Sequence, residues 1–312
     1  MSHPVPTSCP RASRPRSLRT TLAASAGIVA VAVATVGPVT SATAARRPAT
    51  VIHGVCQTRN LCTVDPRSGK VTRVLKGTVG APFQGVTSTV DGRTIAYARG
   101  RRIYRANGRA KGAKQVGGGA IPLISPNGRT VAWKTEIQVQ QCDAFGVCRQ
   151  VQTLALFRRS SGEAKPTVVE AFHQSGGWWG TRLITAGSRN HDLELLDGEG
   201  DPVRPVVTDP TRAFDGVALD PKGRLLATAS EPVEQRPQRF RGRIELFDPA
   251  TAARVRTLTD GTDDVVGGFS PDGTQVAFNR GKDLWVVPTK GGAARRVAKG
   301  FVVTGPSWSR VR

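Results

Sequence analysis

A turn-and-strand unit of nine residues recurs along this sequence. Its sharpest copies are residues 270–278 (SPDGTQVAF) and 125–133 (SPNGRTVAW), and looser copies begin at Thr89, Asp220 and Trp179. In the clear copies a proline or small polar residue and then a glycine favour a tight reversal, and an alternating apolar run enters a strand. A repeat of this kind limits the possible folds more than any other feature of the chain.

A second strand and turn follow each copy of the unit. Examples are residues 243–249 (RIELFDP) and 283–288 (DLWVVP), and a short last strand comes after the turn, as in residues 253–258. Four antiparallel strands joined by short turns, with no convincing helix, are typical of one blade of a β-propeller. Five complete units run from about residue 81 to residue 300.

The two ends of the repeat region complement each other. Residues 50–75 contain three predicted strands, and residues 302–309 (VVTGPSWS) contain one. We therefore predict an all-β fold, a six-bladed β-propeller of four-stranded blades, with the ring closed by the C-terminal strand joining the N-terminal blade.

The SPDG-x-x-[IV]-A-[FWY] unit resembles the repeat of TolB-like propellers, a WD-like group. The resemblance covers nearly all of residues 46–312 and implies a six-bladed interaction domain in the cell envelope. We expect neither the N-terminal domain of TolB proper nor a hydrolase domain in this chain, so a role in the Tol system is not carried over.

Residues 1–45 have the order of a secretory signal peptide, and residues 46–312 are predicted to form the propeller. A basic leader precedes an apolar run at residues 22–36, and Ala42-Thr43-Ala44 follows as a cleavage site. The alternative is a membrane anchor, but the run is shorter than the roughly 18 to 20 residues that span a bilayer. We expect a secreted or extracytoplasmic protein with no membrane span after cleavage.

Four cysteines lie after the leader, at Cys56, Cys62, Cys142 and Cys148. An even number of cysteines in an exported chain indicates disulfides, and the repeated C-x5-C spacing favours the pairs Cys56–Cys62 and Cys142–Cys148. A zinc site built from all four thiolates is the alternative. Structural zinc usually has closer ligand spacing, so we expect two disulfides.

The charge of the chain is strongly positive. It contains 45 Lys and Arg against 23 Asp and Glu, a formal net charge of +22. Such a charge favours anionic surroundings, although scattered basic residues also form an ordinary solvated surface.

Catalytic motifs are scarce. The sequence has neither H-E-x-x-H nor G-x-S-x-G, and after the leader only His53, His173 and His191 remain. Three groups could still carry chemistry: the carboxylates Asp260, Asp263 and Asp264, the D-x-E-x-D turn of residues 197–201, and the His191-Asp192 pair. A solvated surface explains each group as well. We expect no cofactor and no metal, and a binding protein rather than an enzyme; a lactonase-like or glycan-cleaving hydrolase with a metal in its channel stays the alternative.

One face of the predicted propeller carries the irregular loops. Connections between the second and third strands of a blade share a face with the links between blades, and both cysteine pairs and the long segment 231–242 fall there. Loops displayed by a rigid scaffold often carry function. The residues we predict to bind on this face are Arg236, Arg239, Phe240, Arg241, Phe145, Arg149, Asn190 and His191. The expected partner is a protein or an anionic cell-envelope polymer, bound by a monomer; nucleic acid is not expected.

Overall fold

The computed structural model describes residues 49–142, 148–171, 176–186, 191–197, 200–233, 242–261, 263–305 and 307–311. All the described residues belong to one compact unit, Arg47–Arg312. The predicted leader of residues 1–45 therefore lies outside the described residues. Within the described part of the chain, no helix is long and apolar enough to cross a membrane.

The described residues form six antiparallel sheets, which are the six predicted blades. In chain order the strands are β1 (Thr50–Cys56), β2 (Asn60–Val64) and β3 (Val71–Leu75) of blade 1; β4 (Phe83–Ser88), β5 (Thr94–Arg99), β6 (Arg102–Asn107) and β7 (Lys114–Gly118) of blade 2; β8 (Ala120–Ile124), β9 (Thr130–Cys142), β10 (Cys148–Ser160) and β11 (Thr167–Ala171) of blade 3; β12 (Gly176–Trp179), β13 (Arg182–Ala186), β14 (Asp192–Leu196) and β15 (Pro202–Thr208) of blade 4; β16 (Arg212–Leu219), β17 (Leu226–Pro232), β18 (Arg243–Phe247) and β19 (Arg254–Thr257) of blade 5; β20 (Asp264–Phe269), β21 (Gln275–Arg280), β22 (Asp283–Pro288) and β23 (Arg295–Ala298) of blade 6; and β24 (Phe301–Val302) and β25 (Trp308–Arg310), which return to blade 1.

The ring closes as predicted, because the C-terminal residues pair with β1. Trp308 lies opposite Ile52, and Val302 lies opposite Val55. The sequence predicted one strand here, but the structure has two short ones, β24 and β25. Between the two strands the His53 amide donates to the Ser307 carbonyl at 2.8 Å.

The repeated turn has the conformation that its residues favour. Gly92 and Gly273 have φ of 70° and 73°, a region that is easily reached without a side chain. In the sharpest copy the Ser270 hydroxyl accepts the Gln275 amide at 3.0 Å and donates to the Asp272 carboxylate at 2.6 Å. Ser270 is therefore a structural part of the turn.

Each interface between neighbouring blades has its own buried cluster of apolar side chains. Six such clusters are present among the described residues, one for each of the six interfaces. Trp308 and Phe301 from the C-terminal strands are buried in the cluster between blades 6 and 1. Burial of apolar surface at every interface, including the closing one, is what stabilises the ring.

The disc has two faces with different connections. The turns between the first and second strands of a blade, and between the third and fourth, lie on one face, which we call the turn face. The connections between the second and third strands lie on the other with the links between blades, and we call it the loop face. The innermost strands, β4, β8, β12, β16, β20 and β24, surround the central channel.

Candidate functional site

The loop face carries three elaborated connections, as the sequence predicted. Cys56 and Cys62 form a disulfide at the β1–β2 turn of blade 1. In blade 3 the β9–β10 hairpin has two 13-residue strands, whereas every other strand has eight residues or fewer among the described residues. In blade 5 the connection between β17 and β18 contains most of the predicted loop of residues 231–242. Glu231 and Pro232 belong to β17 instead, because they pair with β16, and residues 234–241 lie outside the described residues.

The second predicted disulfide lies at the tip of the long hairpin. Cys142 and Cys148 are opposite each other in the β9–β10 register, which is the placement that a local bridge requires. The side chain of Cys142 lies outside the described residues, so the Cys142–Cys148 bridge stays a prediction.

Most of the predicted binding residues lie outside the described part of the chain. This holds for Arg236, Arg239, Phe240, Arg241, Phe145 and Asn190. Arg149 pairs with Gln141 in the β9–β10 hairpin, and its side chain is among those that are not described. His191 is described: its Nδ1 lies 3.0 Å from the Arg212 carbonyl oxygen, within hydrogen-bonding distance. This contact connects His191, the residue before β14, to the start of β16 on the loop face.

A buried glutamate with three arginines lies at the loop-face end of blade 5. The side chain of Glu245 is fully buried, and its carboxylate accepts the Ser230 hydroxyl. Arg243 lies 3.0 Å from one carboxylate oxygen and Arg254 lies 3.3 Å from the same oxygen. Arg212 lies 3.4 Å from the other oxygen. We call these residues the blade 5 arginine cluster.

The cluster has more positive than negative charge. Three guanidinium groups share the single carboxylate of Glu245, which leaves a formal excess of two positive charges. Burial lowers the pKa of Arg212, and the Glu245 charge acts in the opposite direction. Arg212 also donates to the Ser230 hydroxyl at 2.8 Å, so its orientation is fixed by two side chains. An array of this kind is suited to hold further anionic groups at its exposed edge.

A cavity of about 890 Å³ opens at the loop-face mouth of the central channel. Its walls come from the first residues of inner strands β4 and β8, from β9 and from β16 of blade 5. Lys134 on β9 is only 8% exposed, and burial lowers its pKa to about 8. The opposing charge of Asp215 on β16 acts to raise that pKa. The channel mouth therefore contains a buried amine and a carboxylate from two different blades.

The acidic groups that the sequence singled out mostly have structural partners. Arg280 forms a bidentate pair with the buried carboxylate of Asp264, at 2.7 and 2.9 Å, and also contacts Asp260 at 3.2 Å. The Asp197 carboxylate accepts the amides of Gly200 and Asp201, so it caps its own turn. Among the described residues no group of three or more His, Cys, Asp or Glu side chains is arranged to hold a metal.

The sequence analysis did not identify Glu245 of the blade 5 arginine cluster or Lys134 of the channel mouth. An acidic residue in the alternating strand RIELF is an ordinary exposed position by pattern, but Glu245 is buried between side chains from four strands. Lys134 similarly follows an apolar run without any local signal for burial. Both positions are determined by contacts between residues far apart in the sequence.

Fold and site together define the class of protein: a six-bladed β-propeller with basic residues on its loop face. No family model matches the sequence, and no curated protein matches it. Solved structures do match. TolB from Acinetobacter baumannii is 14% identical with a TM-score of 0.56, and the match covers 80% of this chain and 67% of TolB.

Two further structures support the same fold. A putative TolB from Agrobacterium tumefaciens is 16% identical with a TM-score of 0.53, covering 83% of this chain and 93% of that protein. An oligogalacturonate lyase from Vibrio parahaemolyticus is 12% identical with a TM-score of 0.52, covering 80% and 79% of the two chains. At these identities the comparisons establish the fold alone.

Proposed function

We propose that this protein is a non-enzymatic binding propeller of the cell envelope that holds a protein or an anionic envelope component on its loop face. The observation that carries the proposal is the blade 5 arginine cluster, in which three arginines share the one buried carboxylate of Glu245. The same face carries the long blade 3 hairpin and the disulfide of blade 1.

The cluster lies at the base of the arginine-rich loop. Just before residues 234–241, the Val233 amide donates to the Thr211 carbonyl at 3.0 Å; just after them, the Gly242 carbonyl accepts the Asp264 amide at 3.1 Å. Both ends of the segment are thus attached to inner-strand elements. The segment itself adds Arg236, Arg239 and Arg241 to the arginines of the cluster. A fixed base lowers the entropy that such a loop loses when it binds.

An extracytoplasmic location is part of the proposal. The Cys56–Cys62 disulfide belongs to a class of bond that persists in oxidising compartments. The order of charge, apolar run and small residues in residues 1–45 supports export.

The test is capture of envelope components on the immobilised protein. In the test variant Arg236, Arg239 and Arg241 are changed to Ser, and in the matched control Arg182, Lys222 and Arg224, three exposed residues of the turn face, are changed to Ser. Each variant loses three positive charges. We expect the control to recover the same components as the parent protein and the test variant to lose them; equal recovery by both variants contradicts the proposal.

A glycan-cleaving enzyme is the second candidate, and the channel-mouth cavity favours it. Lys134 and Asp215 face a space of about 890 Å³, and a buried amine with a pKa near 8 is suited to accept a proton at neutral to mildly basic pH. The test is turnover of polygalacturonate and of a lactone panel with and without added divalent cations. Turnover that disappears in Lys134→Met supports the enzyme, and no turnover under any of these conditions rejects it.

A further inference from the structure

A second basic surface lies on the turn face, opposite the loop-face site. Three successive crevices between neighbouring blades open there, with volumes of about 450 Å³ between blades 6 and 1, about 690 Å³ between blades 1 and 2 and about 510 Å³ between blades 2 and 3. Arg310 lines the first two crevices and Arg93 lines the last two. The crevices are therefore continuous, and we call them the basic arc.

The charge of the arc is almost entirely positive. The first crevice contributes three arginines, the second three more, and the third three arginines and a lysine, so ten basic side chains line the arc. The carboxylates in the lining are those of Asp272 and Glu163. Glu163 uses its carboxylate to accept the Ser160 amide at 2.7 Å. Self-repulsion in such a surface is relieved when an anion binds.

Two arginines of the third crevice, Arg105 and Arg159, are held by neutral acceptors, whereas Arg93 lies 3.3 Å from the Asp91 carboxylate. Arg105 donates to the Ser161 hydroxyl at 2.6 Å, and its buried Nε has no hydrogen-bond partner among the described residues. Arg159 donates to the Glu163 carbonyl at 2.9 Å and to the Val116 carbonyl at 3.2 Å. Among the described residues, neither guanidinium has a carboxylate within ion-pair distance. These hydrogen bonds orient the two arginines and leave their charges uncompensated.

The arginines of blades 5 and 6 on the loop face provide the contrast. There Arg280 is paired with Asp264, and Arg212 with Glu245. Guanidinium groups that are ordered by carbonyls and hydroxyls, with no local counter-ion, retain more of their attraction for an external anion.

We propose that the basic arc binds a linear polyanion that carries phosphate groups. A linear ligand fits because the three crevices follow one another around the disc and share lining residues. Phosphate fits because guanidinium, ammonium and hydroxyl groups converge on the third crevice from two blades, and a tetrahedral group offers oxygens in several directions. This proposal does not depend on the loop-face function.

The repeat supplies a matched set of variants for the test. Arg93, Arg129 and Arg224 each follow the glycine of a copy of the turn, but only Arg93 and Arg129 line the arc. The test variant is Arg93→Gln with Arg129→Gln, and the control is Arg182→Gln with Arg224→Gln on blades 4 and 5. All four side chains are exposed, so both variants should fold, and thermal unfolding checks this.

The probe is fluorescently labelled medium-chain inorganic polyphosphate, followed by fluorescence anisotropy over a range of salt concentrations. We expect the test variant to bind at least tenfold more weakly, with a salt dependence reduced by about two counterions, and the control to bind within twofold of the parent protein. Equal loss in both variants, or no loss in either, overturns the proposal, since binding would then depend on net charge or on another surface.

Two further binding measurements test the chemistry of the ligand and the surface that holds it. Polygalacturonate of similar length presents carboxylates in place of phosphates; if it binds as tightly as polyphosphate, the assignment to phosphate is wrong. The loop variant with Arg236, Arg239 and Arg241 changed to Ser should bind polyphosphate as the parent protein does. If instead this variant loses binding, the loop face and not the arc holds the polyanion.

Discussion

His53 Nε2 and Ser309 Oγ lie 3.1 Å apart in the seam that closes the propeller, although 256 residues separate them in sequence. His53 belongs to β1 at one end of the repeat region, and Ser309 belongs to β25 at the other. The imidazole is only 4% exposed. The seam therefore buries a titratable group at the contact on which ring closure depends.

Burial makes the seam sensitive to acid. Desolvation lowers the pKa of His53 from 6.5 to about 4, so the unfolded chain takes up the proton at a higher pH than the folded chain. Neutral His53 therefore contributes about 3 kcal/mol to the free energy of unfolding. This contribution is complete above about pH 6.5 and is lost as the pH falls towards 4. Urea unfolding from pH 7.5 to 4 should show a shallower decline for His53→Gln than for the parent protein. If the free energy of unfolding declines in parallel with pH in the two proteins, the imidazole is not buried in its neutral form.

Trp308 is the second element of the closure. Its side chain is 4% exposed and belongs to the buried cluster between blades 6 and 1. We expect Trp308→Ala to lower the free energy of unfolding by about 3–5 kcal/mol, the usual loss for a buried aromatic side chain. Val311→Ala, a truncation of a side chain that is 49% exposed three residues further on, should change it by less than about 0.5 kcal/mol. Equal, small effects in chemical denaturation would mean that the ring holds without its C-terminal strand.

The fold was predictable because the repeat encodes it locally. Glycine at the turn and alternating apolar residues after it determine each hairpin, and the three predicted strands of residues 50–75 with the one of residues 302–309 indicated how the ring closes. The 13-residue strands of the blade 3 hairpin were not predicted. Their polar segment QVQQC contains little of the apolar alternation by which a strand is recognised.

The two candidate surfaces differ in how far sequence could locate them. The arginine-rich segment of residues 231–242 is recognisable by its composition, and its position between the second and third predicted strands of a blade assigned it to the loop face. The basic arc is assembled across three blade interfaces, and its residues are distant in sequence. One signal was available, since Arg93 and Arg129 occupy the same position of the repeat. Their convergence with Arg105 and Arg159 required the packing of neighbouring blades.

Glu245 should be a strong determinant of stability. Its carboxylate is the common partner of Arg212, Arg243 and Arg254, so Glu245→Gln leaves three cations around a neutral amide. Removal of one partner from a buried ionic group typically costs about 3–5 kcal/mol. The matched control is Glu136→Gln on the same face, where Glu136 is exposed and lies 3.6 Å from Arg101; this change should cost less than about 1 kcal/mol. Similar costs in thermal or urea unfolding would show that the cluster is not held by Glu245.

Replacement of Lys134 should raise the stability of the protein, unlike replacement of Glu245, because the charge of Lys134 is buried at the channel mouth. Burial lowers the pKa from 10.5 to about 8, so between these values the unfolded chain binds more protons and stability rises with pH. We expect Lys134→Met to stabilise the protein by about 2–3 kcal/mol at pH 7, and the gain to disappear by about pH 10.5. Lys114→Met, at an exposed lysine of the turn face, should leave the pH profile unchanged. Urea midpoints from pH 7 to 10.5 measure the stability of both variants. If the midpoint of Lys134→Met changes with pH in parallel with that of the parent protein, the amine is hydrated in the cavity rather than buried. That result would also remove the main support for an enzymatic role of the channel mouth.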